Sequence, residues 1–358
     1  MFKRILSNDL PRSRPLTLCL LLIIAVLVIE PFLFHSEKAT AVAAKVLVFI
    51  LLAASYDLVL GYTGIVSFAH SVFFGVGAYG IALPAVYVGP SALAMLAGFI
   101  CACVISALIA FLIGLFSLRV KAIFYAMITL AVAASTQTLV SQMSEITGGE
   151  DGVTFNVPAV LSASFEPFHQ PIWGIVINGR VITYYLVLLI VLVSFLILLR
   201  IVNSPFGRVL QAIRENEFRA EALGFSVVRY RVAGTVISAL FATAAGGVLA
   251  LWLRYVGPDT TLGSEVMLDL LLIVVIGGMG TLYGAVIGAA LLVIVQNYLQ
   301  DLLAIGANLT ADVPLLGQLA SPDRWSLWLG LLFILCVYYF PSGVVGRLRL
   351  RRRSSDVG

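Results

Sequence analysis

The stretch SALAMLAGFICACVISALIAFLIGLFS, residues 91–117, has no charged side chain and is long enough to cross a bilayer as one α-helix. Of the 358 residues in the chain, 61% are hydrophobic and 11% are charged, whereas soluble domains have about 25% charged residues. The apolar residues fall in long blocks, as expected where lipid is the solvent. The sequence therefore predicts an all-α, polytopic membrane protein and excludes a water-soluble enzyme.

Apolar blocks of spanning length recur along the whole chain. The clear ones are 16–34, 41–60, 66–88, 91–117, 122–141, 181–200, 232–253 and 325–341. The first block follows several basic residues, but it is longer than the apolar part of a signal peptide and lacks a convincing cleavage site, so we interpret it as an uncleaved span. The stretch 265–301 is too long for one ordinary span and is interrupted by GGMGTLYGAVIG at 277–288.

The distribution of Lys and Arg distinguishes one crossing from two at 265–301, because cytoplasmic loops carry the excess of basic residues. With two crossings, the chain has about ten membrane-crossing helices or half-helices, both termini are cytoplasmic, and most of the 22 basic residues lie on that side. We therefore predict one transmembrane domain over 1–358, with an exterior loop at 142–180, a cytoplasmic loop at 201–231 and a basic cytoplasmic tail at 342–358.

The cytoplasmic loop contains NSPFGRVLQAIRENEFRAEALGFS, residues 203–226, which predicts a short helix with a kink near Asn216. Ser204 suits the N-cap, Pro205 is tolerated in the first turn, and Gly224 suits the position just after a helix end. The loop is therefore predicted to be structured.

An apolar stripe and a charged pair follow the helical spacing of this loop. Phe206, Leu210 and Ile213 form the stripe, and Glu215 with Arg219 has the spacing of an i,i+4 ion pair. The stripe needs a cover, which could be the spans of the protein itself, the lipid interface or the groove of a partner. The balance of Glu and Arg argues against simple attraction to anionic lipid and favours a partner.

Three stretches resemble a known family. SPFGRVLQAIRENEFRAEALG, residues 204–224, resembles the cytoplasmic coupling loop of LivM-type permeases, the branched-chain amino-acid family of ABC importers. GYTGIVSFAHSVFFGVGAYG at 61–80 and VIGGMGTLYGAVIGA at 275–289 are similar to two further signatures of that family. The resemblance spans essentially the whole chain. It implies a permease subunit of an ATP-driven importer for branched-chain amino acids or a related small polar solute, in a bacterial inner membrane.

The resemblance also implies partners. They are a second, LivH-type permease subunit, two cytoplasmic ATPase subunits and a periplasmic solute-binding protein. ATP and Mg would be bound by the ATPase subunits, since this chain has no Walker motif. In the family, the coupling loop inserts into a cleft of the ATPase subunit. The corresponding candidates here are Arg208, Arg214, Glu215, Asn216, Glu217, Arg219, Glu221 and Gly224.

Catalytic residues, a metal site, a cofactor and a nucleic-acid partner are not expected on this chain. No carboxylate pair, nucleophile triad or metal-spaced cluster is evident in the sequence. The four cysteines lie in apolar stretches without spaced His or Cys partners, which predicts that they act as small hydrophobic residues.

Small and ionisable residues inside the spans are candidates either for the solute pathway or for close helix packing. They are Asp57, Gly61, Gly64, Ser67, His70, Gly75, Gly77, Asp269, Gly277, Gly278, Gly280 and Gly284. We expect Asp57 to accept hydrogen bonds at an adjacent glycine-rich turn, and a packing role explains His70 more simply than proton transfer. Glu30 is discounted because it lies near a membrane interface.

An alternative function remains at this point. An ion- or proton-coupled secondary transporter could use Asp57, His70 or Asp269 and would need no ATPase partner. Within the importer family, urea, amides and aromatic acids also remain open as solutes, because in such importers the external binding protein largely sets specificity.

Overall fold

The computed structural model describes residues 14–33, 36–116, 122–162, 164–166, 178–309, 324–339 and 343–346. Several predicted features lie outside these residues. They are the basic residues before position 14, part of the exterior loop at 142–180, and the part of the basic tail beyond residue 346.

The described chain is almost entirely α-helical, as predicted. Its helices are α1 (Arg14–Leu33), α2 (Glu37–Asp57), α3 (His70–Tyr87), α4 (Ala92–Phe116), α5 (Ala122–Gln142), α6 (Ser144–Thr147), α7 (Gly179–Val202), α8 (Pro205–Glu215), α9 (Glu217–Ala222), α10 (Val227–Leu253), α11 (Pro258–Thr261), α12 (Ser264–Gly277), α13 (Leu282–Leu309) and α14 (Trp325–Tyr339). A π-helical turn, Leu58–Tyr62, continues α2, and two-residue strands β1 (Val153–Thr154) and β2 (Tyr255–Val256) pair antiparallel.

Nine stretches of the described chain are long and apolar enough to cross a membrane. They are Leu16–Leu33, Glu37–Tyr62, His70–Tyr87, Ala92–Phe116, Ile123–Gln142, Gly179–Val202, Val227–Leu253, Pro258–Gly277 and Leu282–Ile305. The shorter apolar helix within α14, Trp325–Cys336, is a tenth element. The architecture is therefore that of an all-α polytopic membrane protein.

The ambiguous stretch 265–301 consists of two helices, α12 and α13. The helix breaks at 278–281, where Gly278 and Gly280 have φ values of 114° and 79°. These backbone conformations are disfavoured for residues with a Cβ, so the glycines explain why the helix ends here. Of the two interpretations of this stretch, the one with two elements folded back at the glycines is observed.

Burial differs sharply between helices of similar apolar character. In an 18-residue apolar window of the span Glu37–Tyr62, 94% of residues are buried, because α2 is packed on several sides by α7, α10 and α13. In the corresponding window of the span Ile123–Gln142 only 17% are buried, although α5 is also apolar around its circumference. A helix that is apolar on all sides must lie in a core or in lipid, so α2 is the centre of the bundle and α5 faces outward.

Glycines let α3 and α10 approach closely. A Cβ added at Gly77 of α3 would overlap the carbonyl oxygen of Thr243 in α10, and one added at Gly246 of α10 would overlap the carbonyl oxygen of Phe74 in α3. The contact is reciprocal, since each helix places a glycine against the main chain of the other. Small residues are the usual means of close packing in lipid, where burial of apolar surface does not drive helices together.

The bundle has two distinct ends. At the first, called the Glu37 end, α2 and α7 begin together, with Glu37 and Arg180 3.4 Å apart. At the same end Lys38 lies 2.5 Å from Asp301 near the end of α13. The opposite end, called the Arg214 end, carries α8, α9 and the turn at 278–281. Because α13 runs from this turn to Asp301, α12 and α13 run antiparallel between the two ends.

Candidate functional site

The candidate site lies at the Arg214 end, where α8 and α9 connect two spans. Ser204 occupies the N-cap position of α8 and Pro205 its first turn, as predicted. The Ser204 hydroxyl does not cap the helix but donates to the carbonyl of Ile201, 2.6 Å away. The start of α8 is therefore tied back to the end of α7.

Asn216 separates α8 from α9. Its backbone is extended, with φ of −160°, and its side-chain oxygen accepts a hydrogen bond of 2.9 Å from the backbone N–H of Arg219. This contact is an N-cap of α9, so the predicted kink is a complete break between two helices. Helix α9 ends at Ala222, and Gly224 follows with φ of 87°, which agrees with the predicted stop.

The apolar stripe of α8 packs against the protein itself. Leu210 and Ile213 are buried, with 0% and 2% of their surface exposed. Phe206 stacks on Tyr230 of α10, with ring centroids 5.7 Å apart. The protein's own helix α10 covers the stripe, so the prediction that a partner covers it is wrong, and α8 is attached to α10.

The expected ion pair between Glu215 and Arg219 does not form within the described chain, and that prediction is wrong. The break at Asn216 removes the continuous helical turn on which an i,i+4 contact depends. Instead, both carboxylate oxygens of Glu217 accept hydrogen bonds from the guanidinium of Arg231, at 2.8 and 2.9 Å. This bidentate pair ties α9 to the first turns of α10.

Two exposed apolar side chains escaped the sequence analysis. Phe218 in α9 is 80% exposed and Leu223, just after it, is 76% exposed, although both lie beyond the spanning segments. The sequence does contain a signal for them, since both interrupt a strongly charged segment, but neither belongs to the apolar stripe of α8. The eight coupling candidates from Arg208 to Gly224 are all exposed beside them.

Arg214 joins this connection to the spans. Its guanidinium donates a hydrogen bond to the carbonyl oxygen of Gly61, in the π-helical turn that continues α2. Its side chain also runs past Gly64, where an added Cβ would lie 3.1 Å from the Arg214 Cγ. Arg214 therefore brings together two regions that are far apart in sequence, the coupling candidates and the first glycine-rich stretch.

Asp57 joins the first glycine-rich stretch to the second. The carboxyl group is 1% exposed, and its Oδ1 accepts a hydrogen bond of 2.8 Å from the backbone N–H of Gly280. Its Oδ2 is buried and has no hydrogen-bond partner among the described residues. A Cβ added at Gly61 would overlap Asp57 Oδ1 and the nitrogen of Gly280, so the two glycine turns touch. The name junction is used below for Asp57, Gly61, Arg214 and Gly280.

The remaining pathway or packing candidates are distributed through the bundle. Gly277 packs against the main chain of Gly284 across the turn, Gly75 packs against Leu262, and Ser67 is buried. These contacts are those of close packing, and they also account for the dense glycine content of the two stretches.

His70 and Asp269 are not brought together. The His70 ring is buried, with Nε2 2.9 Å from the hydroxyl of Ser55. Asp269 accepts a hydrogen bond of 2.8 Å from the side chain of Gln296. The hydrogen bonds of the described residues thus provide no direct link between the two groups that a proton relay would use.

Glu30 lies close to the end of α1 and is covered by neighbouring helices. It is 3% exposed, and its Oε1 accepts a hydrogen bond of 3.1 Å from Thr40 at the start of α2. This position at the Glu37 end agrees with the predicted location near an interface. Among the described residues, no group of three or more His, Cys, Asp or Glu side chains is arranged to hold a metal ion.

The fold and the site together define a class. The chain is a multi-pass helical membrane protein in which a two-helix connection at one end is attached to the spans and also presents exposed apolar and charged side chains. Residues 39–337 match the family described as branched-chain amino acid transport system, permease component. This match covers most of the chain, and the chain belongs to that family.

Individual relatives agree with the family match. The chain is 30% identical over 298 residues to the high-affinity branched-chain amino acid transport system permease protein LivM of Salmonella typhimurium, covering 79% of this chain and 68% of the relative. It is 30% identical to the LivM of Escherichia coli over 78% of this chain and 68% of the relative. It is 24% identical to the LivH permease protein of Escherichia coli, covering 75% of this chain and 86% of the relative. No solved structure matches the chain.

Proposed function

We propose that this chain is one transmembrane subunit of an ATP-driven importer for branched-chain amino acids and forms half of its solute pathway. Its family membership supports the permease role, and its similarity to both LivM and LivH proteins supports pairing with a second, LivH-type permease subunit. The complex would also include two cytoplasmic ATPase subunits, which bind ATP and Mg, and a periplasmic solute-binding protein.

The exposure of Phe218 and Leu223 carries the coupling part of this proposal. Large apolar side chains in water are costly unless a partner covers them, and apolar and aromatic anchors surrounded by charged residues are typical of interface centres. The buried stripe of α8 fixes the adjacent helix to the spans, so a force applied to α9 would reach the bundle. We propose that α9 docks in a groove of an ATPase subunit.

This assignment gives the bundle an orientation. The Arg214 end would face the cytoplasm of a bacterial cell and the Glu37 end would face the periplasm, in agreement with the excess of basic residues predicted for the cytoplasmic side. The segment from α6 to β1, which pairs with β2 at the Glu37 end, would then lie on the side of the solute-binding protein.

The test is to purify the importer from its native membranes through a tag on this chain and to measure MgATP hydrolysis and uptake of radiolabelled leucine in liposomes. We expect the wild-type preparation to contain an ATPase subunit and to need ATP for uptake. Phe218→Ser should abolish co-purification of that subunit. The control Val160→Ser changes a 54% exposed apolar residue near the Glu37 end and should retain it.

Two results would overturn the proposal. One is ATP-independent uptake driven by an ion or proton gradient, which would support the secondary-transporter alternative. The other is retention of the ATPase subunit by Phe218→Ser and by the double variant Phe218→Ser, Leu223→Ser. Uptake of urea, amides or aromatic acids in place of leucine would change only the solute assigned to the importer. The proposal that α9 docks on an ATPase subunit would still stand.

A further inference from the structure

The junction at the Arg214 end contains a buried carboxylate with an unused acceptor and an arginine bound elsewhere. Asp57 uses Oδ1 for the N–H of Gly280, whereas its buried Oδ2 has no hydrogen-bond partner within the described part of the chain. The guanidinium of Arg214 forms no ion pair with this carboxylate in the described residues; its hydrogen bond goes to the carbonyl of Gly61, and Gly61 packs against Asp57 Oδ1. A neutral carbonyl is a weaker partner for a guanidinium than a carboxylate is.

Arg214 and Asp57 are bound to the same pair of backbone turns, Arg214 to the carbonyl of Gly61 and Asp57 to the N–H of Gly280. A Cβ added at Gly280 would lie 2.8 Å from Nη1 of Arg214 and 3.1 Å from the carbonyl oxygen of Gly61. Gly61 in turn lies directly against Asp57 Oδ1. The guanidinium and the carboxylate thus both contact the Gly61 and Gly280 turns. A guanidinium has five N–H donors, so it can change its acceptor when the two turns move relative to α8.

The two ends of the Arg214 side chain are held by different parts of the molecule. Its backbone belongs to the last turn of α8, which is packed on the bundle through Leu210 and Ile213. Its guanidinium contacts the end of α2 and the turn between α12 and α13. Movement of α8 relative to these two elements must therefore stretch or replace the bond to Gly61.

We propose that Arg214 is a two-position link between α8 and the spans, bound to the Gly61 carbonyl in the arrangement described here and to the Asp57 carboxylate in a second arrangement. The exchange would connect displacement of α8 to the relative position of the two glycine turns. The inference rests on the proposed function, which supplies the ATPase subunit that moves α8. Arg214 is a positioning residue in this scheme, because it acts through the turns and not on the solute.

The link makes a specific prediction for the ratio of solute taken up to ATP hydrolysed. Asp57→Asn keeps the side-chain size and a carbonyl oxygen for the Gly280 N–H but removes the charge that would hold Arg214 in the second position. Arg214→Gln removes the charge from the other partner. We expect each variant to assemble with the ATPase subunit, to hydrolyse ATP and to lose about tenfold in uptake per ATP, a typical size for coupling between sites.

Three variants distinguish a link from a structural role. The double variant Asp57→Asn, Arg214→Gln should be no worse than either single variant, because both remove the same interaction. Arg214→Lys should recover part of the ratio, since it keeps the charge but not the planar donor geometry. Arg229→Gln removes an exposed arginine of α10 at the same end and should leave the ratio unchanged.

The outcomes separate the inference from the proposed function. A wild-type preparation without an ATPase subunit would overturn the proposed function and, with it, the inference. Normal uptake per ATP in Arg214→Gln and Asp57→Asn, in a complex that assembles and hydrolyses ATP, would overturn the inference alone. Additive losses in the double variant would do the same, as would parallel losses of hydrolysis and uptake that leave their ratio unchanged.

Discussion

Helices α8 and α9 are neighbours in sequence and opposite in character. The apolar side chains of α8 are buried against the spans, with Leu210 completely covered, whereas the large apolar side chain of α9, Phe218, is 80% exposed. Asn216 makes this difference possible, because the break that it caps lets each helix take its own orientation. The comparison shows how one short connection can be attached to a membrane bundle and still present a free surface to a partner.

The largest expected effect comes from weakening the attachment of α8. Leu210→Ala should lower the free energy of unfolding by about 2–5 kcal/mol, the usual cost of removing a fully buried leucine side chain. The cavity would form beside Gly234 of α10, where an added Cβ would lie 3.7 Å from Leu210. Thermal unfolding of the purified protein measures this loss. Gln211→Ala on the exposed face of α8 is the matched control and should change stability by less than about 0.5 kcal/mol.

Removing the free surface of α9 should give the opposite result. Phe218→Ala should leave the unfolding temperature nearly unchanged, because the side chain touches little of the protein. It should weaken binding of the ATPase subunit by about 2 kcal/mol, or about 30-fold in Kd, as expected for an aromatic anchor at the centre of an interface. Surface plasmon resonance with the purified subunit measures the change. A destabilised protein with unaltered affinity would contradict the division of roles between α8 and α9.

A smaller effect is expected at the break itself. Asn216→Ala removes the cap of α9 and should cost about 1 kcal/mol in local stability. Hydrogen exchange should increase at the N–H of Arg219 and through α9, while α8 stays protected by its buried stripe. Asn216→Ser, which retains a capping oxygen, should restore most of the protection. Equal loss of protection in both helices would mean that they unfold as one unit.

The smallest effect is expected for the ion pair between Glu217 and Arg231. The Glu217 side chain is 48% exposed, so Glu217→Gln should cost at most about 1 kcal/mol, and high salt should reduce that cost further. Unfolding measured at low and high salt tests this. Glu221→Gln, an exposed change on the same helix outside the pair, should show no salt-dependent cost.

The amino-acid pattern was sufficient for features that depend on local chemistry. Uninterrupted apolar blocks predicted the spans, and the glycines at 277–280 predicted that the chain folds back between α12 and α13. The Pro205 start, the break at Asn216 and the stop at Gly224 follow from backbone preferences of single residues, which the sequence states directly.

Features that depend on distant contacts could not be predicted in the same way. The hydrogen bond from Gly280 to Asp57 joins residues 223 positions apart, and no periodicity in the sequence encodes such a pairing. The same limit applies to the bond between Arg214 and Gly61. The spacing of Glu215 and Arg219 does not predict their contact, because α8 ends at Glu215 and α9 begins after Asn216.

The reciprocal glycine contact between α3 and α10 has a mechanical consequence. Gly77 and Gly246 each fit against the main chain of the opposite helix. Helices α3 and α10 should therefore resist sliding past each other and move as one rigid unit. Helix α10 begins a few residues after α9, and Ala220 of α9 and Val227 of α10 belong to the same small buried apolar cluster. Displacement of α9 is therefore expected to move α10 and α3 together. Helix α3 is the span that follows the first glycine-rich turn.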